Sequence, residues 1–216
     1  MATFNPGPLP LTVTVLPRKP LTSGQPHRRV THFPSLKTRV MVPCASRLHA
    51  DFCLHLEFEP RVIAYASRPF ALQFGEGEIT ARPDFAAILA DGRRVYYQVS
   101  GSDLALDPRR RNRLSLARQC FGNAGLLLEQ LNPDLYQTNA CTQTLRSLYH
   151  HAFGGTVVQV PQIRQLLSED RSDSATIRYL TERGIRKSDI AFAIFYQHIY
   201  TDLHKPVDLN TRVEVR

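Results

Sequence analysis

Four short stretches hold the residues whose types can do chemistry. In order they are Ser46-Arg47-Leu48-His49-Ala50-Asp51-Phe52, Leu56-Glu57-Phe58-Glu59-Pro60-Arg61-Val62, Arg82-Pro83-Asp84-Phe85 and Tyr97-Gln98-Val99-Ser100. Asp84 offers carboxylate oxygens and Gln98 a neutral amide oxygen, donors suited to hard cations such as Mg²⁺. The imidazole of His49 suits softer ions such as Mn²⁺ or Zn²⁺ better. A set of one carboxylate, one amide and one imidazole is therefore a poor Mg²⁺ site. A different chemistry is open to Arg109, Arg110, Arg111 and Arg113, whose planar forks contact phosphate but stay charged and so make poor general bases. Each feature also has an ordinary reading. An aspartate after a proline starts many strands, a histidine at a helix start is commonly satisfied within a half-buried surface, and an arginine run commonly covers a solvated helix face.

The elements that must position these groups can be read from periodicity. Residues 44–57 read as a helix, with Leu48, Phe52 and Leu56 on one face, Ser46 as its cap and Pro60 beyond its end. His49 then borders the buried face, beside Cys53 and Leu56. Strand-like stretches follow at 70–74, 84–89 and 94–99, the last two joined through Ala90-Asp91-Gly92, a hairpin signal. A three-residue turn with Gly92 left-handed puts Asp84 opposite Gln98 on one face, whereas a two-residue turn separates them. Asp107 as cap and Pro108 at the first position open a basic helix at 109–120, ahead of an apolar strand at 125–131. A helix at 139–152 leads to Gly154-Gly155, a candidate boundary. Beyond it come three short helices at 161–169, 174–183 and 188–197 and strand-like pieces at 199–203 and 211–215, a winged-helix pattern. Phe192, Ile194 and Phe195 place much of the third of these helices in the core, while Arg178, Arg183, Arg186 and Lys187 crowd the element before it.

The ordered set of stretches resembles the N-terminal domain of TnsA, the endonuclease subunit of heteromeric cut-and-paste transposons, over about residues 28–135 and more weakly beyond. The resemblance implies an α/β fold with a PD-(D/E)XK restriction-endonuclease-like core and a C-terminal winged-helix-like domain. It implies a basic Pro-rich arm at 1–43, the nuclease core at 44–135, a helical bridge at 136–155 and the winged-helix-like part at 156–216. In that family the pattern is Ser-x-x-Glu on the first helix, Pro-Asp on a strand and Glu-or-Gln-x-Lys on the next. Asp84 and Gln98 match it. His49 stands where the glutamate belongs and Ser100 where the lysine belongs.

The implied catalytic set is thus Asp84, Gln98, His49 and Ser100, with Asp84, Gln98 and His49 as the metal ligands and Arg109, Arg110, Arg111 and Arg113 as DNA contacts. Mg²⁺ or Mn²⁺ is the implied cofactor if the site is active, and none otherwise. The lost residues have few replacements. Glu57 lies roughly 12 Å along the helix from His49, Asp51 points to another face, and Glu76 and Glu78 must swing in from a loop. Lys37 is the nearest lysine, and the next is Lys187. Three readings stand: a weakened TnsA-like nuclease, a non-catalytic DNA-binding and assembly subunit, or an unrelated restriction or repair nuclease of the same fold. The implied partners are double-stranded DNA at transposon ends and a TnsB-like DDE transposase, in the bacterial cytoplasm at the nucleoid.

Composition points the same way. The chain has 27 basic residues against 19 acidic ones, for a net charge of +8, and arginine supplies almost all the basic ones, which favours a polyanionic partner. Eight of its 15 prolines and no acidic residue fall in the first 43 positions, so that stretch forms no long helix and reads either as a backbone-tracking arm or as a solvated one. Cys44, Cys53, Cys120 and Cys141 lack zinc-site spacing and read as reduced thiols. No apolar run reaches the ~20 residues of a membrane span, so a soluble protein with no membrane partner is expected.

Overall fold

Ala90, Asp91 and Gly92 form the three-residue turn that the site requires. The Leu89 amide donates to Arg93 O at 2.9 Å, and Gly92 sits at φ 83°, a left-handed conformation open to glycine at no steric cost. Phe85 then faces Tyr97 and Ala86 faces Tyr96, which brings Asp84 level with Gln98. The computed structural model describes residues 9–19, 21, 30–75, 77, 79–99, 107–131, 140–169 and 173–215. Ser100, Glu76 and Glu78 lie outside the described residues, as does the side chain of Arg110. The protein is mixed α/β and divides into two compact units, Met1–Gln137 and Thr138–Arg216.

In the first unit the described strands are β1 (Val13–Leu16), β2 (Thr31–Ser35), β3 (Val40–Cys44), β4 (Val62–Ser67), β5 (Ala71–Phe74), β6 (Ile79–Ala81), β7 (Phe85–Leu89), β8 (Arg94–Val99) and β9 (Leu127–Leu131), with helices α1 (Arg47–Phe58) and α2 (Pro108–Asn123). The central sheet runs β4-β7-β8-β9. Its first three strands are antiparallel, and β9 joins parallel to β8 because α2 supplies the crossover that a parallel pair needs. Side chains alternate across the sheet, so Phe85 and Tyr97 share one face and Ala86 and Tyr96 the other. On the first face Phe52 of α1 meets Phe85 and Tyr97 edge-on, with ring centroids 5.0 and 5.1 Å apart. On the second, Ala86 and Tyr96 pack with Phe70, Leu72 and Phe74 from β5 and its approach and with Ala117 and Phe121 from α2.

Several of these strands were not predicted. β4 is one, because a bulge between Val62 and Ala64 leaves Ile63 53 % exposed and breaks the two-residue period. The proline-rich first 43 residues are structured in part: β1 pairs with β5, and the β2–β3 hairpin lies against α1.

The second unit holds α3 (Ala140–Ala152), α4 (Val160–Ser168), α5 (Ile177–Glu182) and α6 (Lys187–Phe195), with a 3-10 turn at Val157–Gln159 and a ribbon of β10 (Ser174–Thr176) and β11 (Arg212–Glu214). The expected ribbon of 199–203 with 211–215 is instead β10 with β11, and Tyr200 adds one bridge to Glu214. The helix read as part of a bridge over 136–155 is α3, and it belongs to this unit's core: Leu145, Leu148, Tyr149 and Ala152 are all buried. Nor are the paired glycines a linker. A Cβ on Gly155 would lie 2.3 Å from the Ser188 carbonyl oxygen and 2.5 Å from Phe192 Cβ, so that glycine permits a close approach to α6. Asp189, 1 % exposed, secures the same junction by accepting from the Thr156 amide at 3.0 Å and from both ends of the Arg186 fork.

A fragment of residues 138–216 is therefore expected to unfold cooperatively, and one of residues 156–216 is not. The shorter piece lacks four buried side chains, three of them large and each worth about 1.5–3 kcal/mol, a loss comparable to the whole stability of a small domain. Calorimetry or circular dichroism melts of the two fragments check this, and a sharp transition in the shorter one would contradict it.

Candidate functional site

Three elements converge on Asp84. Strand β8 approaches from one side: Gln98 Nε2 donates to Asp84 Oδ2 at 2.5 Å, and the Val99 amide donates to the same oxygen at 2.9 Å. Helix α1 approaches from another, with His49 Nε2 3.6 Å from Asp84 Oδ1. The Asp84 backbone is held as well, its amide donating to Tyr97 O at 2.8 Å and its carbonyl accepting from the Arg68 amide at 2.6 Å. His49, Asp84 and Gln98 thus come together as the sequence arrangement predicts.

The start of α1 determines how His49 presents itself. Ser46 caps the helix, its Oγ accepting from the His49 amide at 3.4 Å and lying 2.7 Å from His49 Nδ1. A hydroxyl that accepts from the amide has its own proton left for Nδ1. With Nδ1 accepting in this way the ring proton would sit on Nε2, the nitrogen that lies 3.6 Å from Asp84 Oδ1. Phe85 fixes the ring from the side, 5.6 Å between centroids.

Two candidates for the missing groups are committed elsewhere. Glu57 is fully buried and accepts from Ser35 Oγ at 2.8 Å, Tyr65 Oη at 2.7 Å and the Lys37 amide at 2.8 Å. Lys37 Nζ donates to the carbonyls of Leu56 and Glu59 at 3.0 and 2.6 Å, covering the C-terminal end of α1 where carbonyls lack helical partners. Burial brings the Lys37 ammonium down to about 8, against the pull of Glu57 and Glu59. It stands at the far end of α1 from His49, about 15 Å by helical rise.

What sequence spacing did not reveal is that two arginines, Arg18 and Arg68, line a cleft with Asp84. Arg18, from the proline-rich segment, donates to Pro83 O at 2.6 Å and lines a cleft of about 150 Å³ with His49, Ser67, Arg68 and Asp84. Arg68 holds a left-handed backbone, φ 46°, a cost that a side chain other than glycine bears only where its surroundings impose it. Burial and the neighbouring Arg68 lower Arg18 to about 10; Asp84 acts in the opposite sense and Arg82 adds to the depression. Arg82 borders a different cleft, about 210 Å³, with Gln98, Thr80 and Arg113 of α2. Of the predicted DNA contacts, Arg113 therefore lies beside the site, and Arg109 and Arg111 are exposed on the same helix.

This donor set does not fit Mg²⁺. Among the described residues Asp84 is the one carboxylate brought to the site; its Oδ2 already takes two N–H groups, Gln98 turns its amide nitrogen toward it, and Arg18 and Arg68 line the cleft with it. Among the described residues no group of three His, Cys, Asp or Glu side chains is placed to hold a metal ion. The electrostatics favour an anion. No family model matches the chain, and no curated protein matches it.

Of the basic cluster expected in the second unit, Arg178 lies on α5, Arg183 and Arg186 in the turn beyond it, and Lys187 at the start of α6. Arg183 stacks over the Tyr179 ring at 4.3 Å, while Arg178 reaches Asn210. Helix α6 buries Asp189, Ile190, Ala191, Ala193, Ile194 and Phe195, so it presents little surface to a ligand. No helix among the described residues is long and apolar enough to cross a membrane.

Proposed function

We propose that this chain is a TnsA-like subunit of a heteromeric DNA transposase, working beside a TnsB-like DDE partner, which grips double-stranded DNA at transposon ends and cuts it poorly or not at all. On this reading the first unit is a PD-(D/E)XK-like core and the second a winged-helix-like domain. The observation that carries it is the state of the site: Asp84 and Gln98 meet at the end of a β7–β8 hairpin under α1, as in a nuclease core, but the neighbours of Asp84 are the His49 imidazole and a cleft lined by Arg18 and Arg68, where a nuclease of this kind needs a second carboxylate and a metal. The convergence of His49 on Asp84 also leaves a second reading, a weakened nuclease, which the cleavage assay described below separates from the first.

Helix α2 supplies independent support. Its cap is Asp107, its first turn has no acidic residue, and Arg109, Arg111 and Arg113 crowd the end where the helix dipole is positive. Positive side chains there add to the positive field of the helix end, and together they attract an anion. A phosphate backbone is such an anion. Replacing Arg109, Arg111 and Arg113 by alanine is expected to weaken duplex binding and flatten the plot of log affinity against log salt by about 2–3 units, while the melting temperature holds or rises. Fluorescence anisotropy across a salt series measures the slope, and an unchanged slope would remove α2 from the interface.

A further inference from the structure

We infer that the cleft of about 210 Å³ lined by β6, β8, β9 and α2 takes a single unpaired nucleobase at a DNA end, with Arg82 and Arg113 contacting the adjoining phosphates. This rests on the DNA-binding reading above and names the part of the ligand that enters the cleft.

The lining is apolar inside and cationic at its edge. Leu114 of α2 and Leu128 of β9 are half-buried there, so a flat, weakly polar group that covers them removes apolar surface from water. Arg82 and Arg113 are exposed, and among the described residues neither has a hydrogen-bond or ion-pair partner. Their forks are open to phosphate oxygens. A ligand that is apolar where it enters and anionic where it leaves matches both features, and a nucleotide is such a ligand.

Gln98 narrows the choice. It lines this cleft while its amide nitrogen donates to Asp84 Oδ2 at 2.5 Å. A carboxylate only accepts, so Asp84 fixes which end of the amide faces it and leaves Gln98 Oε1 as the atom for a ligand. That oxygen calls for an N–H group, which each of the four bases carries and which a hydrocarbon chain or a bare phosphate lacks. Thr80 contributes a hydroxyl able to donate or accept. Size sets the last condition. The cleft is below the roughly 300–1,000 Å³ of sites for whole small molecules, so it holds one base and not a base pair, and the base must be out of the duplex stack.

The test uses the full chain in EDTA and short duplexes of one sequence, read by anisotropy. One carries a single unpaired adenine nucleotide at its ends, and the other an abasic nucleotide in the same place, which keeps the added phosphate. Both are made with 3′ and with 5′ overhangs. In one of the two polarities adenine is expected to bind about tenfold tighter than the abasic analogue, as one hydrogen bond and partial apolar burial together provide. Millimolar deoxyadenosine monophosphate should erase that difference and leave the abasic duplex bound. Leu114→Trp, which fills the cleft from α2, should abolish the preference and leave abasic-duplex binding within about twofold, since no charge is lost. Thr80→Val keeps the shape, removes the hydroxyl and should reduce the preference to about threefold, with an unchanged melt showing that the fold is intact. Equal affinity for adenine and abasic duplexes in both polarities, or a preference that survives Leu114→Trp, overturns the base pocket and leaves the DNA-binding reading standing. Tight binding of the free mononucleotide alongside equal duplex affinities makes the free nucleotide the ligand and overturns it likewise. Failure to bind any duplex overturns both.

Discussion

Supercoiled plasmid incubated with the purified protein and Mg²⁺ is expected to remain uncut, with or without a TnsB-like transposase. On the TnsA-like reading proposed above, two groups that lower the barrier in intact sites are replaced, the glutamate by His49 and the lysine by Ser100. Groups of this kind are each worth roughly 10²–10⁴ in rate, so the pair amounts to at least about 10⁴. The surroundings of Asp84 deepen the loss, because its carboxylate is engaged by Gln98 and Val99 and flanked by arginine. The double change His49→Glu with Ser100→Lys adds an anion beside Asp84 and a cation two positions beyond Gln98. It is expected to raise Mg²⁺-dependent nicking by about 10²-fold or more, and Asp84→Ala in that background should abolish the gain. Brisk cleavage by the unmodified chain that disappears on Asp84→Ala would mean that the site works as it stands, and the weakened-nuclease reading would replace the one proposed.

The largest effect on stability is expected at Glu57. Its carboxylate is fully buried and accepts from the Ser35 and Tyr65 hydroxyls and the Lys37 amide, so it fastens the β2–β3 hairpin and β4 to α1 at one point. Burial pushes the Tyr65 hydroxyl far up, so it remains a donor at any ordinary pH. Glu57→Ala leaves three donors without their acceptor and opens a cavity, for an expected loss of about 3–5 kcal/mol. Glu57→Gln keeps the shape and one acceptor oxygen and should cost about half as much. Tyr65→Phe, which removes one donor, should cost about 1–1.5 kcal/mol. Urea unfolding resolves these values, and a Glu57→Ala midpoint equal to that of the unmodified protein would show that the buried carboxylate contributes nothing net.

The same residue illustrates what spacing can and cannot convey. Distance along a helix sufficed to keep Glu57 away from His49, since eight residues of helix cannot fold back on themselves. Nothing in the sequence near Glu57 announced its partners, because Ser35 and Lys37 precede it by some twenty positions and come from a hairpin that the prolines concealed. Pro34 and Pro43 sit within β2 and β3, in a sheet of those two strands alone, where a missing amide need not break a ladder. The Gly154-Gly155 pair misled for a related reason. Glycine marks linkers and close approaches alike, and only the position of Ser188 and Phe192 distinguishes them.

By itself the sequence determined the local geometry of the candidate site. Turn length at Ala90-Asp91-Gly92 and the two-residue period of strands put Asp84 level with Gln98, and the helical period put His49 at the margin of the buried face, because both rules act over a few residues. Only the tertiary structure decided the electrical character of that site. Arg18 and Arg68 are fifty positions apart, one beyond β1 and the other beyond β4, and their meeting beside one carboxylate follows from how those segments pack. Charge acts through space, so the sum that turns a would-be cation site into an anion site exists only once the chain has folded.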